Sequence, residues 1–525
     1  MSRLATIEGQ SFDVAIIGGG IVGCGVARDA ARRGLRVVLF EKQDFGSGTT
    51  SASTRIVHGG LRYLETADFR LVRMDLRERE TLLHIAPHLV KPLEFAIPFA
   101  DVGAWQRLKL RVGLAMYDAL AFGSSLPRHR AASAEAAYYD ARVDLPERLA
   151  LENVLDAISA GARAFNYVEV TGALKDGAAI SGVRVRDRVT GVEATVRSRL
   201  TVNAGGPWFE RVAGALGGAL PGRIRMTKGV HLVCPSMTDR ALVLFSQVDR
   251  RLMFAIPRAG HTWLGTTDTD YSGDPGDAAA TREDVSYIVR SMRGAFPSLS
   301  ADDVLYTTAG VRALVMQRGS TSSVSRMHKV VDGEVSGVPG LVSIMGGKIT
   351  GYRAIAEEAT DTVCRRIGVD RRSTTAEEPL PGARHSRITN HEPRIADEVG
   401  VPPHLYDVYG SRATDVTNLA GARPELARPL SPKYPDIGAQ VVLAVREELC
   451  VTVADFVRRR TLLGATADQG WDAAPAVAAI MGAELGWTPE QRDREVETYE
   501  RDIARTLAFR SGAGTGAAGV GHHDR

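Results

Sequence analysis

The segment "FDVAIIGGGIVGCGVARDAARRGLRVVLFEK", Phe12 to Lys42, leaves few folds open. Phe12 to Ile17 is an uninterrupted aliphatic run of the kind found in strands buried on both faces. Gly18-Gly19-Gly20-x-x-Gly23 follows at once, Ile21 to Arg33 reads as a helix, and "LRVVLFE" supplies a second strand ending at Glu41. Strand, tight turn, helix and strand form a βαβ unit, which commits this end of the chain to a parallel sheet. In that geometry Gly18 makes the turn, Gly20 lets backbone N–H groups approach a pyrophosphate, and Gly23 lets the helix pack on the strand. The pyrophosphate rests on the helix N-terminus and Glu41 accepts from ribose hydroxyls. The expected cofactor contacts here are therefore Gly18, Gly20, Ile21, Val22, Gly23, Glu41 and Lys42. The acidic residue argues against a 2′-phosphate and leaves NAD and FAD both open. A second match, Gly514-x-Gly516-x-x-Gly519, has no strand before it and no helix after it, and carries no weight.

Two further segments favour a flavin. "LTVNAGGPW", Leu200 to Trp208, is a short strand ending in glycines that can bring Ala204 and Gly205 back beside the pyrophosphate. "GLVSIMGGKITGYRAIAEEA" is a strand, then Gly346-Gly347, then an amphipathic helix. Its N-terminal N–H groups suit the electron-rich end of a reduced flavin, with Gly347, Lys348, Ile349 and Thr350 in contact. The loop "FGSGTTSASTR" adds small hydroxyls, of which Thr49, Thr50, Ser51 and Ser53 are the candidates for the phosphates and ring edge. The stretch "IVHGGLRYLE" crowds His58, Gly59, Gly60, Leu61, Arg62 and Tyr63 together, consistent with backbone passing close beneath a ring.

At 525 residues the chain exceeds one ordinary core. A net charge of +3 argues against nucleic acid as a partner, so acidic ligands require local clusters of cations. The four cysteines are scattered with no CxxC pair, which supports neither a zinc site nor a disulfide framework and fits a reducing, cytoplasmic setting. "MSRLATIEGQSF" has no apolar core of a signal peptide, and no apolar run is long enough to cross a bilayer. "WQRLKLRVGLAMYDALAF", Trp105 to Phe122, mixes basic and apolar residues and suits either a membrane interface or an apolar face buried in the protein. After the polar stretch "TTAEEPLPGARHSR" the periodicity turns helical, and the glycine-alanine tail "SGAGTGAAGVGHHDR" reads as disordered.

"IGGGIVGCGVARDAARRG" and "GGKITGYRAIA" resemble the two signature segments of FAD-dependent glycerol-3-phosphate dehydrogenases. "STRIVHGGLRYLE", "VNAGGPW", "TKGVHLV", "LGTTDT", "TAGVRAL" and "DFVRRRT" support the resemblance, which covers the chain up to about residue 509. It implies an α/β fold with a glutathione-reductase-type FAD domain interleaved with an antiparallel-sheet substrate domain, plus a helical C-terminal cap domain. The expected divisions are 1–375 for the interleaved pair, with FAD parts about 12–85, 150–225 and 335–375, and substrate parts about 86–149 and 226–334. A linker at 376–387, a helical domain at 388–510 and a tail at 511–525 follow. The resemblance also implies bound FAD, with Val168 among its contacts, and oxidation of sn-glycerol 3-phosphate to dihydroxyacetone phosphate. It implies electron delivery to a membrane quinone, and with that a peripheral contact on the inner face of the cell membrane. A homodimer is left open. The departures are Ala313 where proline is usual, a second glycine in "VNAGGPW", Gly351 where threonine is frequent, and Arg258 in place of an aromatic, which is expected at the rim of the substrate cleft.

A phosphorylated C3 polyol needs cations at one end and a proton acceptor near the carbon that loses hydride. By similarity Arg62, Tyr63, Arg326 and Lys348 surround the phosphate and neighbouring hydroxyls, and Arg312 lies near the C2 oxygen, where it can steady a developing alkoxide. Histidine is the usual base for such a step. His231, in "KGVHLVCP", is the first candidate and His58 the second. An oxidase that passes electrons to O₂ is the competing activity, and a non-catalytic FAD-binding sensor is the competing class.

Overall fold

The computed structural model describes residues 3–64, 68–100, 102–218, 222–316, 327–384 and 401–511. Arg326, residues 385–400 and the tail beyond Ser511 fall outside the described residues, as does the side chain of Arg62. The expected site roles of Arg62 and Arg326, the end of the expected linker, the start of the helical domain and the disordered tail therefore lie beyond description.

The strand Ser11–Ile17, the helix Ile21–Arg32 and the strand Val37–Phe40 form the βαβ unit. Ser11–Ile17 pairs in parallel with Val37–Phe40 on one side and Glu193–Asn203 on the other. Arg163–Phe165 extends the sheet beyond Val37–Phe40, and Leu341–Met345 extends it beyond Glu193–Asn203, both in parallel. Val14, Ile16, Val37 and Leu39 point to one side of this sheet, into a core shared with Ala27, Ala30 and the helix Tyr352–Ile367. Phe12, Ala15, Ile17 and Phe40 fill the other side. Strands covered on both faces explain the unbroken apolar runs in the sequence.

A second, ten-stranded sheet is mainly antiparallel. Its centre is Ile224–Pro235, flanked by Tyr306–Val315 and His261–Gly265. The chain passes between the two sheets several times, so the domains interleave. Two short strands join the sheet other than the one expected of their segment. Ile56–Val57 pairs with Glu135–Val143 of the second sheet, and Lys329–Asp332 pairs with Leu341–Met345 of the first. Of the two, Ile56 lines the cavity described below.

The C-terminal region carries the helices Pro403–Tyr409, Ala413–Ala422, Gly438–Glu447, Ala474–Leu485 and Pro489–Thr506, with one small hairpin, Pro429–Ser431 and Tyr434–Ile437. It has its own apolar cores. The fold is thus α/β with two interleaved sheets and a helical C-terminal domain. Among the described residues no helix is long and apolar enough to cross a membrane.

Candidate active site

The glycine turn is built as its spacing requires. A Cβ on Gly23 would lie 1.9 Å from the Gly18 carbonyl oxygen, and one on Gly18 would lie 2.6 Å from that of Ala204. Gly20 has only Thr50 Oγ1 near its missing Cβ, at 3.7 Å, so the space above it stays open for a ligand. Glu41 stands at the end of its strand and accepts from the Gly19 and Gln43 N–H groups at 2.7 and 2.8 Å. Thr50 Oγ1 accepts from Ile21 N–H at 3.0 Å and ties the hydroxyl loop to the helix N-terminus. Thr49 Oγ1 donates to the Val311 carbonyl at 2.6 Å and joins that loop to the second sheet. Lys42 lies over the Trp208 ring at 3.9 Å, closing the outer end.

A cavity of about 1450 Å³ runs between the two sheets. That exceeds the usual range of small-ligand pockets, roughly 300–1,000 Å³, and matches an extended dinucleotide with room for a substrate. Gly18, Gly20, Ile21, Val22, Glu41, Lys42, Thr49, Thr50, Ser53, Val168, Ala204 and Gly205 line it at one end. Gly347, Lys348, Ile349, Thr350, His58, Gly60, Leu61, Tyr63 and Arg312 line it toward the other. Gly23, Ser51, Gly59 and His231 are not on its wall. Ser51 Oγ donates back to Gly48 and Ser47 within its own loop. Gly59 is packed instead against Leu76 and the Tyr117 hydroxyl, each 2.5 Å from where a Cβ would be, and its N–H donates to Asp140.

The far end holds fixed cations. Arg312 donates to the Thr267 carbonyl and Asp268 Oδ1, both at 3.2 Å, and to Thr266 Oγ1 at 3.0 Å. Its guanidinium occupies the space left by Gly229, whose Cβ would sit 2.3 Å from Arg312 Nη2. Lys348 pairs with the buried Asp75 and lies 4.3 Å from the centre of the Tyr63 ring. Burial pushes the Asp75 carboxyl up to about 6, an effect that Lys348 only partly offsets. The His58 N–H donates to Thr350 Oγ1 at 3.1 Å, linking "IVHGG" to the "GGKIT" turn.

His231 sits one layer back, 2% exposed. Its Nε2 is 3.0 Å from Thr54 Oγ1, and Thr54 does line the cavity. Burial, with the charges of Arg312 and Arg55, pushes its imidazole down to about 3, so it stands neutral near pH 7. Arg258 is not at the cleft rim, where the sequence places it, but behind the sheet and stacked on Trp263 at 4.5 Å. An arginine replacing an aromatic at an inward strand position keeps its stem in the core.

Sequence reasoning missed Thr54, Asp75, Trp208, Gly229, Thr266, Asp268 and the cavity-lining Gly310, where a Cβ would lie 2.2 Å from that of Ala52. Six of them lay inside quoted motifs, four of these being Thr54 in "STRIVHGG", Trp208 in "VNAGGPW", Gly229 in "TKGVHLV" and Gly310 in "TAGVRAL". Thr266 and Asp268 fall within "LGTTDT". Asp75 carries no local signal and is found only through its pairing with Lys348.

The comparisons with known proteins agree with this architecture. Residues 13–360 match the family model described as FAD dependent oxidoreductase, and residues 373–492 match the C-terminal domain of alpha-glycerophosphate oxidase. The glycerol-3-phosphate dehydrogenase of Synechocystis sp. is 38% identical over 95% of this chain and 97% of its own. The glycerol-3-phosphate dehydrogenase 2 of Mycobacterium bovis is 35% identical over 95% of this chain and 88% of its own. The structure of the glycerol-3-phosphate dehydrogenase from Bacillus halodurans complexed with FAD superposes with a TM-score of 0.77 at 29% identity, covering 96% of this chain and 97% of that one. With a glycine cradle, a dinucleotide-length cavity and these matches over nearly its whole length, the chain belongs to the FAD-dependent oxidoreductase family that includes the glycerol-3-phosphate dehydrogenases, and FAD is its cofactor.

Proposed function

We propose that this protein oxidises sn-glycerol 3-phosphate to dihydroxyacetone phosphate and passes the electrons to a membrane quinone. The observation that carries this reading is the pair of cations, Arg312 and Lys348, fixed at the end of the cavity beyond the glycine cradle. Lys348 and Tyr63 receive the phosphate end, and Arg312, held by Thr266, Thr267 and Asp268 on the cavity wall, sets its positive charge near the C2 oxygen. The reaction removes two hydrogens from the C2 alcohol, a proton from its oxygen and a hydride from its carbon. Bound FAD supplies the hydride acceptor. His58, on the cavity wall, takes the hydroxyl proton. His231 acts behind it through Thr54, because a buried imidazole held neutral beside two arginines is a weak acceptor on its own. Arg312 then balances negative charge as it grows on the C2 oxygen.

The acceptor reading rests on the helix Ala104–Leu120. It buries only Leu114 and Tyr117, while Trp105 is 68% exposed and Leu108 and Val112 about half exposed. Trp105, Leu108, Val112 and Met116 also line the cavity, so one apolar face meets both solvent and the site. We place this face against the inner surface of the cell membrane, with Arg107, Lys109 and Arg111 near lipid headgroups and the remainder of the protein in the cytoplasm. Turnover of the purified holoenzyme with a quinone analogue, beside oxygen consumption, tests the acceptor. Rapid peroxide formation with no quinone turnover would make the protein an oxidase, the activity named for the family that residues 373–492 match.

A further inference from the structure

Behind the His231 strand lies a second, smaller cavity of about 10 Å³, room for a single occupant the size of water. Arg55, Arg142, Asp144, Arg258, Trp263 and Thr54 line it, with His231 beside them. Arg258 Nη2 donates to the Asp144 carbonyl at 2.6 Å, but several other side-chain nitrogens of these residues have no acceptor among the described residues. Arg55 Nε, Arg142 Nε, Arg258 Nε, Arg258 Nη1 and Trp263 Nε1 are buried and have no hydrogen-bond acceptor among the described residues.

The charges do not balance either. Glu147 is engaged by the two terminal nitrogens of Arg55, at 2.8 and 2.9 Å. Asp144 stands 3.4 Å from Arg142 Nε and 4.0 Å from Arg258 Nε, and hydrogen-bonds to neither atom. Two carboxylates thus face three guanidinium groups, with His231 neutral. Arg258 and Arg55 both lie over the Trp263 ring, their guanidinium carbons 4.5 and 5.6 Å from its centre. Burial and the neighbouring Arg55 charge lower Arg258 to about 10. A buried cation without a full counter-charge is costly, as is a buried donor without an acceptor.

One occupant remedies both. A water molecule has the Asp144 carboxylate for its own hydrogens but accepts from only two donors, which leaves the other unpaired nitrogens unmet. A monoatomic anion accepts from every side and cancels the surplus charge. We propose that this pocket is a binding site for a small inorganic monoanion of the halide class, held by Arg258, Arg142, Arg55 and the indole N–H of Trp263. The volume excludes a phosphate ester or a quinone, so the site is separate from the substrate cavity. Thr54 and Phe254 line both spaces and form the partition between them. The Trp263 ring lies 6.3 Å from that of His231, so the anion also enters the electrostatic surroundings of that histidine.

The test uses the holoenzyme. Crystals grown in bromide are expected to show an anomalous peak in this pocket, in contact with Arg258 and Trp263. In solution, the thermal midpoint should rise with chloride concentration and saturate, relative to gluconate at equal ionic strength. Arg258→Met should remove that dependence. Trp263→Phe keeps the ring and deletes one donor, so it should shift the saturation to higher chloride, and it reports even if the arginine variant does not fold. No bromide peak in the pocket, or midpoints that follow ionic strength alone in both salts, would overturn the proposal.

Discussion

Lys348 and Asp75 are 273 positions apart in sequence and adjacent in space, and their pairing sets a pH dependence. The Asp75 carboxyl titrates near 6, above its ordinary 3.8. Below that pH it is protonated, and Lys348 loses its counter-ion at the phosphate end of the cavity. Because the folded value is raised, the contribution of this group to stability is fully present below 3.8 and is lost as pH rises toward 6. Asp75→Asn should therefore flatten the thermal midpoint between those values, and should remove any inflection near pH 6 in KM for the substrate. An unchanged profile in both readouts would dissociate Asp75 from the site. His58→Asn should lower kcat by about 100- to 10,000-fold if the cavity-lining histidine takes the proton. A larger loss in His231→Asn than in His58→Asn, measured by single-turnover flavin reduction, would reverse the two roles. Sequence ranked His231 ahead of His58, the reverse of the order proposed above, because access depends on where the fold puts each side chain and on what covers it. Arg258 shows the same limit: its departure from the family pattern was legible, and its burial against Trp263 was not.

At the level of elements, the βαβ unit was legible almost residue by residue, since its turn tolerates so little. Gly23→Ala places a methyl group 1.9 Å from the Gly18 carbonyl and should yield protein without bound FAD, read from its absorbance spectrum. The two strands that carry Arg312 and His231 were visible only as motifs. What positions Arg312 is the register of Tyr306–Val315 against Ile224–Pro235, a long-range pairing that local sequence does not encode. Gly229 lies one strand over, and its lack of a side chain makes room for the guanidinium. Gly229→Ala should displace Arg312 and lower kcat/KM by an amount close to that of Arg312→Ala, with little further loss in the double variant. Additive losses would mean that Gly229 acts elsewhere. The helix Ala104–Leu120 left two readings open in sequence. Burial of only two of its side chains favours the membrane face, and Leu108→Gln with Trp105→Gln should reduce sedimentation of the FAD-loaded protein with anionic vesicles.

The whole molecule is held together by charges that neither domain satisfies alone. Asp44, three residues past Glu41, is fully buried and accepts from Arg459 and Arg460 of the "DFVRRRT" segment at 2.7 Å each. Arg460 also donates to the Glu448 carbonyl, and Glu448 pairs with Arg148 of the helix Pro146–Ser159. Burial alone would raise the Asp44 carboxyl, but the two guanidinium groups overrule it and hold it down to about 2. A depressed value contributes stability above the ordinary 3.8 that is lost as pH falls toward 2. Through this pairing the C-terminal domain grips the segment that follows Glu41. Removing one member of such a buried pair typically costs about 3–5 kcal/mol. Asp44→Asn should lower the thermal midpoint and loosen FAD, by fluorescence release, and the deficit should shrink when Arg460→Met is added. Interleaved sheets and a helical cap were expected from the sequence, whereas this clamp was not, since its partners lie more than 400 positions apart.

The central claim, that the cavity beyond the glycine cradle oxidises sn-glycerol 3-phosphate, is tested most directly by anaerobic bleaching of the yellow holoenzyme. Wild type should bleach fully on adding this substrate, and Arg312→Ala, with FAD still bound, should bleach about 100- to 1,000-fold more slowly. A wild-type flavin that stays yellow, or an Arg312→Ala protein that bleaches at the wild-type rate, would contradict the account.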